Sequence, residues 1–165
     1  MDMETPNLPG RSPTDGDLVA LARELNRLGA KYIVVGGFAV NHHGVNRATQ
    51  DIDFLIASDW PNQGRVRQAL EILPDKAIKE LGPEEDLAAV VVVRVFDEVT
   101  VDLMTKTCGV AYEEAEKDIL WHEVDGVKIP FANLDLMLKL KRSYRARDIE
   151  DREILERIKR QQANS

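Results

Sequence analysis

The sequence predicts an α/β (α+β) protein in which short apolar strands alternate with helices. Three observations lead to this class. Leucines recur at helical spacing over 15–28, short β-branched runs bounded by turn residues follow, and helical periodicity returns over 133–141 and 147–160. With 165 residues, the chain is expected to form a single domain over 15–160. It is preceded by a flexible tail over 1–14, which is rich in proline.

The N-terminal half is expected to contain three helices and two strands. Asp15 is the expected N-cap of the first helix, and Gly29 its stop. The expected elements are a helix over 15–28, a strand over 32–35, a short helix over 37–43, a strand over 52–57, a helix over 62–73 closed by Pro74, and an irregular polar segment over 75–87.

The C-terminal half is expected to contain two hairpins and three helices. Strands over 88–96 and 99–104 should pair through a tight turn at Asp97-Glu98, and Asp125-Gly126 is a favoured two-residue hairpin turn. The remaining elements are a helix over 111–117, strands over 120–124 and 127–130, and closing helices over 133–141 and 147–160.

The composition restricts the class of protein. Apolar residues make up 44% of the chain, so a packed core is possible, and the net charge of −7 argues against a dedicated nucleic-acid binder. The single cysteine, Cys108, excludes an internal disulfide, suits the cytoplasm, and is expected to be a small buried side chain. No apolar run reaches the roughly 18 residues of a membrane span.

The pair Asp51 and Asp53 is embedded in an apolar strand. Side chains alternate along a strand, so the two carboxylates share one face while Ile52 and Phe54 point into the core. Paired carboxylates repel each other unless a cation lies between them, and hard oxygen ligands suit Mg²⁺, with Mn²⁺ as the alternative. The competing interpretation is a chance Asp-x-Asp of solvated acids.

A third acid, Asp102, lies in the middle of the strand over 99–104. It shares a face with Thr100 and Met104, opposite the valines. If this strand lies beside the strand of Asp51 and Asp53, three carboxylates converge into a site for one or two metal ions, as phosphoryl transfer requires. Otherwise Asp102 lies on the wet face of an edge strand.

The order of these motifs resembles the nucleotidyltransferase superfamily typified by polymerase beta, and most closely its small abortive-infection (AbiEii-type) toxins. The resemblance covers about residues 17–158. Its first block consists of Gly36, Gly37, Ala39, His43, Gly44, Arg47, Thr49, Asp51, Ile52 and Asp53. Its last block consists of Asp135-Leu136, Lys139 or Lys141, Arg145, and Arg147-Asp148 with Asp151.

The resemblance implies a short mixed β-sheet flanked by helices, with a C-terminal helical pair. It also implies transfer of a nucleoside monophosphate from a nucleoside triphosphate (NTP) to an acceptor. Asp51, Asp53 and Asp102 would be the catalytic and metal-binding residues. The backbone of Gly36 and Gly37 would approach the triphosphate, unless these glycines only form a tight turn.

Other basic and polar residues have both functional and structural interpretations. Arg47 and Thr49 face phosphates or order their loop, and His43 is expected to be a structural hydrogen-bonding residue. Lys139, favoured by the family's register, or Lys141 would be a phosphate clamp; on a helix the two lie about 200° apart, so only one can face the site. Arg145, Asp148 and Asp151 would form a salt-bridge set nearby. The alternative is that the basic residues of the C-terminal helices, including Lys139 and Lys141, lie on a helix face exposed to solvent.

The expected partners are an NTP donor and an acceptor hydroxyl on a protein, an RNA or a small molecule. The acidic net charge weakens the RNA alternative. A partner protein or a homodimer mate could complete the site, and the resemblance implies a role in a toxin–antitoxin or phage-defence system. The competing hypothesis is a catalytically silent nucleotide-binding or protein-interaction module of the same fold.

Overall fold

The computed structural model describes residues 10–141 and 146–164. It confirms the α/β class. In chain order the helices and strands are α1 (Asp15–Arg27), β1 (Tyr32–Val35), α2 (Gly36–His42), β2 (Asp51–Ile56), α3 (Trp60–Leu70), β3 (Val93–Phe96), β4 (Thr100–Met104), β5 (Lys106–Thr107), β6 (Val110–Ala111), α4 (Tyr112–Ala115), β7 (Ile119–Val124), β8 (Val127–Ala132), α5 (Leu134–Leu140) and α6 (Ala146–Ala163). Short 3₁₀ helices cover Ala77–Glu80, Leu87–Ala89 and Glu116–Asp118.

Six strands form one mixed sheet in the order β3-β4-β2-β1-β8-β7. The pairs β2–β4 and β1–β8 are parallel, and the other three pairs are antiparallel. Both expected hairpins, β3–β4 and β7–β8, are present. The acid-bearing strands β2 and β4 are therefore neighbours inside the sheet, where strand pairing on both sides fixes their backbones.

The core lies between the sheet and its helices. Ile52, Phe54 and Ile56 of β2 are fully buried, as are Leu21 and Leu25 of α1. Burying a side chain of this size contributes about 1.5–3 kcal/mol relative to leaving it exposed. This packing holds β2 in a single register, and the same register turns Asp51 and Asp53 to the opposite face.

The N-cap of the first helix lies one residue before the expected one. Thr14, not Asp15, is the N-cap: its hydroxyl accepts a hydrogen bond from the Asp17 N–H, and the Asp17 carboxylate accepts one from the Thr14 N–H. This reciprocal pair is a capping box. Arg11 bonds Asp17 and Glu98, so the end of the expected tail packs on the domain. Residues 1–9 lie outside the described residues.

Several expected elements have different bounds in the structure, among them the third strand and the third helix. The strand expected over 88–96 is limited to Val93–Phe96, because β4 offers pairing partners only to those residues. Val91 in the unpaired run is 82% exposed. Strand propensity does not form a strand where no neighbouring strand is available.

The helix expected over 62–73 begins at Trp60, after the N-cap Asp59, and ends at Leu70.

The expectation that Cys108 is buried is wrong. Cys108 is exposed in the turn between β5 and β6, with a left-handed φ of 49°. Its thiol donates a hydrogen bond to the Leu140 carbonyl at 3.2 Å. A residue at a hairpin turn faces solvent whatever its hydrophobicity, because the tight turn leaves no neighbouring layer to cover it.

His42 packs against the strand β8. Its ring stacks on Phe131 with centroids 4.1 Å apart, and the His122 ring lies 4.8 Å away. Burial, together with the neighbouring His43 and His122, lowers the pKa of His42 to about 4. The neutral ring is therefore the form that the fold accommodates.

We expect His42 to make the protein acid-sensitive. An unfolded histidine has a pKa of about 6.5. Stability that depends on neutral His42 is therefore complete above that pH and is lost as the pH falls toward 4. The difference in melting temperature between wild type and His42→Gln, measured from pH 7.5 to 4.5, should shift in favour of the variant on acidification. Carboxylates titrate in both proteins, so parallel curves would contradict this prediction.

Candidate active site

Three carboxylates converge where β2 and β4 pair. The parallel register places Asp53 directly opposite Asp102, and alternation along β2 places Asp51 on the same face. One carboxylate oxygen from each of the three residues lies within 4.8 Å of the others. The expected convergence of Asp51, Asp53 and Asp102, called the acid triad below, is confirmed.

The acid triad carries an electrostatic cost. The Asp102 side chain is only 8% exposed and the Asp51 side chain 27%. Burial, reinforced by the charges of Asp51 and Asp102, raises the pKa of Asp53 to about 8. Burial and the charge of Asp102 also raise the pKa of Asp51. Without a cation, three carboxylates at this spacing retain a proton at neutral pH.

The two glycines of the first block shape the floor of this site. Gly36 begins α2 with a left-handed φ of 69°. A Cβ at Gly36 would overlap the carboxylate of Asp53, and a Cβ at Gly37 would overlap the methyl group of Thr49. The glycine pair thus lets Asp53 and Thr49 contact the main chain directly.

These features fit a hard divalent cation. The donors are carboxylate oxygens within 4.8 Å of one another, and the missing Cβ of Gly36, called the Gly36 cradle below, leaves room for the Asp53 carboxylate. Oxygen donors of this kind suit Mg²⁺ or Mn²⁺. The residues present can therefore hold such an ion.

Arg94 of β3 is the residue that sequence reasoning missed. It lies opposite Asp102, and its Nε and Nη2 atoms donate to the two Asp102 oxygens, both at 2.8 Å. Nη2 also lies 3.3 Å from Asp51. The expected two-residue turn at Asp97-Glu98 would pair Phe96 with Val99, whereas the structure pairs Phe96 with Thr100 and so places Arg94 opposite Asp102.

The acid triad lies in a cleft of about 480 Å³. One wall contains basic side chains, and the rim contains exposed valines. The lining includes Gly36, Gly37, Arg47, Thr49, Val91, Val92, Arg94, Lys141, Arg147 and Asp148. Carboxylates and cations therefore meet in one concave surface, as binding of a metal–anion complex requires.

Arg47 and Thr49 both line the cleft, as the sequence suggested. Arg47 donates to Asp151 of α6 at 2.6 Å, and its main chain is held by the side chain of Asn41. His43 is held by its Nε2 atom, 2.7 Å from the Ala132 carbonyl oxygen, which matches the structural role expected for it. Arg47 thus joins the loop before β2 to the C-terminal helix.

Of the two candidate lysines, the structure brings Lys141, and not Lys139, to the cleft. Lys139 lies 3.7 Å from Asp118, in a separate surface groove. Lys141 follows the end of α5, is nearly buried, and lies 3.2 Å from Asp148 and 3.1 Å from Asp151. The family register favoured Lys139, but where α5 ends and how it packs decide which side chain points inward. Arg142 and Arg145 lie outside the described residues.

Comparison with known proteins identifies the class as nucleotidyltransferase. The family model described as nucleotidyl transferase AbiEii toxin, type IV toxin–antitoxin system, matches residues 19–119, more than half of the chain. The chain belongs to this family. The comparison with curated proteins found no match.

Among solved structures, the chain is similar to a Thermotoga maritima protein with a nucleotidyltransferase assignment. The two share 14% sequence identity with a TM-score of 0.48, over 88% of this chain and 86% of that one. Within the described part of the chain, no helix combines the length and the apolar character needed to cross a membrane.

The Gly36 cradle can be tested with a matched pair of substitutions. Gly29 has a similar φ of 73° but open space where a Cβ would stand, so Gly29→Ala isolates the backbone strain, about 1–2 kcal/mol. Gly36→Ala adds displacement of Asp53. We expect both variants to melt earlier, but only Gly36→Ala to lose Mn²⁺ affinity by calorimetry. Equal Mn²⁺ affinity in the two variants would contradict this role for Gly36.

The position of Lys141 predicts unequal effects for the two lysines. Lys141→Met leaves the buried Asp151 carboxylate without the cation beside Oδ2, an atom with no hydrogen-bond donor among the described residues. Removing one partner of a buried pair costs about 3–5 kcal/mol; because Arg47 still pairs with Asp151, we expect the lower end of this range, or roughly 10 °C in melting temperature. Lys139→Met is the matched control and should melt within a degree or two of wild type. If the two variants had similar melting temperatures, this prediction would be contradicted and Lys141 would have no more structural role than a solvent-exposed lysine.

Proposed function

We propose that this chain is a Mg²⁺-dependent enzyme that moves a nucleoside monophosphate from an NTP to an acceptor hydroxyl. The new bond joins the acceptor oxygen to the α-phosphorus, the bond from that phosphorus to the bridging oxygen breaks, and pyrophosphate leaves. The observation that supports this proposal is the acid triad, whose oxygens lie within 4.8 Å of one another on paired strands. Mn²⁺ is the alternative ion.

In this proposal Asp51, Asp53 and Asp102 hold the ion. A bound divalent ion neutralises charge on the triphosphate and draws electrons from the reacting phosphorus. Asp102 also accepts the proton of the acceptor hydroxyl. Asp102 lines the cleft opposite Asp53, where an acceptor beside the bound triphosphate could reach it.

The rest of the cleft binds and orients the triphosphate. The main chain at Gly36 and Gly37 is open to close approach, and Thr49 lies against it. Arg47 and Lys141 supply positive charge from the wall. Both cations are held by Asp151, so they are positioned before a ligand arrives, which reduces the reorganisation that charge stabilisation requires. Lys139, which lies in another groove, is left out of this proposal.

The family description supports a toxin role within a toxin–antitoxin system, and we propose that the chain acts in the cytoplasm with an antitoxin as its regulatory partner. The acceptor hydroxyl belongs to a protein, an RNA or a small molecule. The net charge of −7 favours the first and third, because tight RNA binding draws on many phosphate contacts.

One observation favours the alternative, a catalytically silent module. Arg94 already satisfies both oxygens of Asp102, so the described structure contains its own counter-ion. A silent module would keep this pair permanently. It predicts either no metal-dependent nucleotide binding or nucleotide binding without transfer.

Nucleotide binding separates the two functions. We expect Mg²⁺ together with one of ATP, GTP, CTP or UTP to raise the melting temperature by several degrees, since bound ligand stabilises the folded state by mass action. Asp53→Asn, which keeps the shape but removes a ligand charge, should abolish the shift while the protein still folds. The exposed Asp135→Asn is the matched control and should shift like wild type.

Transfer itself is then measured with the selected NTP labelled on the α-phosphate, incubated with a cell extract. Label that reaches an acceptor with wild type but not with Asp53→Asn establishes transfer. A nucleotide shift without transfer supports the silent module. No shift with any nucleotide contradicts the proposed donor site.

A further inference from the structure

We propose that Arg94 is a resident counter-ion of the acid triad, which the metal must displace, so that Arg94 sets the metal affinity of the site. This inference rests on the proposed function, because it concerns the same carboxylates. It assigns a positioning role to a residue that no sequence motif marked.

The sheet itself places Arg94 there. Arg94 pairs with Asp102 across β3–β4, and Asp102 pairs with Asp53 across β4–β2. Residues directly opposite each other in a sheet project to the same face, so these three form one row across three strands. The backbone of Arg94 is fixed by the hairpin, and its guanidinium can reach the carboxylates without any rearrangement of the fold.

The contacts show that Arg94 occupies coordination positions. Its planar fork donates to both oxygens of Asp102 at 2.8 Å, the bidentate geometry that guanidinium and carboxylate favour. The same Nη2 atom lies 3.3 Å from Asp51. Among the described residues, the guanidinium of Arg94 hydrogen-bonds only to Asp51 and Asp102. A divalent ion at the triad would need the same oxygens and would repel the guanidinium.

Lys141, another basic residue near the acid triad, is placed differently from Arg94. Lys141 is nearly buried and is held by Asp148 and Asp151, behind the carboxylates. Arg94 is half exposed, with its side chain at 50%, and lies on the edge strand β3. Its side chain can rotate into solvent when a metal arrives, whereas Lys141 stays in place. Displacement therefore requires only a side-chain movement.

Two consequences follow from this arrangement. The metal-free protein avoids the full repulsion of three unscreened carboxylates, because Arg94 neutralises part of it. Metal binding must first break three charge-assisted hydrogen bonds, two to Asp102 and one to Asp51, so the affinity for metal is weaker than that of the carboxylates alone. Arg94 thus lowers the affinity of the site for metal and stabilises the metal-free protein.

The test measures Mn²⁺ binding alone, by the electron paramagnetic resonance signal of free Mn²⁺. We expect Arg94→Gln to bind Mn²⁺ at least fivefold more tightly than wild type, about 1 kcal/mol at the usual conversion. Arg147→Gln is the charge-matched control: Arg147 lines the same cleft and acts on Asp51 through its charge. It should change the affinity less than twofold. If both substitutions raised the Mn²⁺ affinity equally, the effect of Arg94 would be that of any nearby positive charge, and the proposal would be overturned.

Two further measurements guard against a folding defect. Arg94→Lys keeps the charge without the fork, and should bind Mn²⁺ with an affinity between those of wild type and Arg94→Gln. In wild type, the Nε–H resonance of Arg94 should shift on titration with diamagnetic Mg²⁺ and saturate with the metal. An unmoved resonance at metal saturation would overturn the proposal even if Arg94→Gln did not fold.

The outcomes also separate this inference from the function on which it rests. If wild type and Arg94→Gln bind Mn²⁺ equally, and Asp53→Asn does not bind, the metal site stands and the role of Arg94 is wrong. If none of the three proteins binds Mn²⁺, both the metal site and the role of Arg94 are wrong.

Discussion

The mutual repulsion of three carboxylates on neighbouring strands is the constraint around which the rest of the site is arranged. The parallel pairing of β2 with β4 holds Asp53 opposite Asp102, and the buried residues on the other face of β2 prevent either acid from turning away. Repulsion at this distance is contained by adding a proton, a cation or a hydrogen-bond donor. Burial and the neighbouring charges raise the pKa of Asp53 to about 8, and Arg94 supplies a cation and hydrogen-bond donors to Asp102.

A second layer of charge ties the C-terminal helix to this site. The buried carboxylate of Asp151 in α6 lies between Arg47, from the loop before β2, and Lys141, from the end of α5. Buried charges of this kind are costly unless each has a partner, so the three residues fix one another. The family model matches residues 19–119, and this layer draws two of its three members from beyond that match. The C-terminal segment thus helps to form the cleft around the acid triad.

The two layers differ in what they can do. Arg47 and Lys141 are held by carboxylates of their own, so they remain in place whether the cleft is empty or loaded. Among the described residues, the Arg94 side chain is held only by Asp51 and Asp102, the proposed metal ligands. In the proposed function, a bound ion would add positive charge to the cleft while its wall stayed unchanged, which suits an anionic triphosphate. The same fold can therefore keep the metal-free site stable and make the metal-bound site electropositive.

Much of this arrangement could be predicted from the sequence, because its causes are local. Alternation along β2 determined that Asp51 and Asp53 share a face, turn residues determined both hairpins, and the spacing of the first block identified the family. Only the tertiary structure decided that β4 lies beside β2, that Lys141 rather than Lys139 reaches the cleft, and that Arg94 meets Asp102. These outcomes depend on which distant segments pack together and on where α5 ends. Such choices are set by the summed packing of the whole core, which no short pattern records.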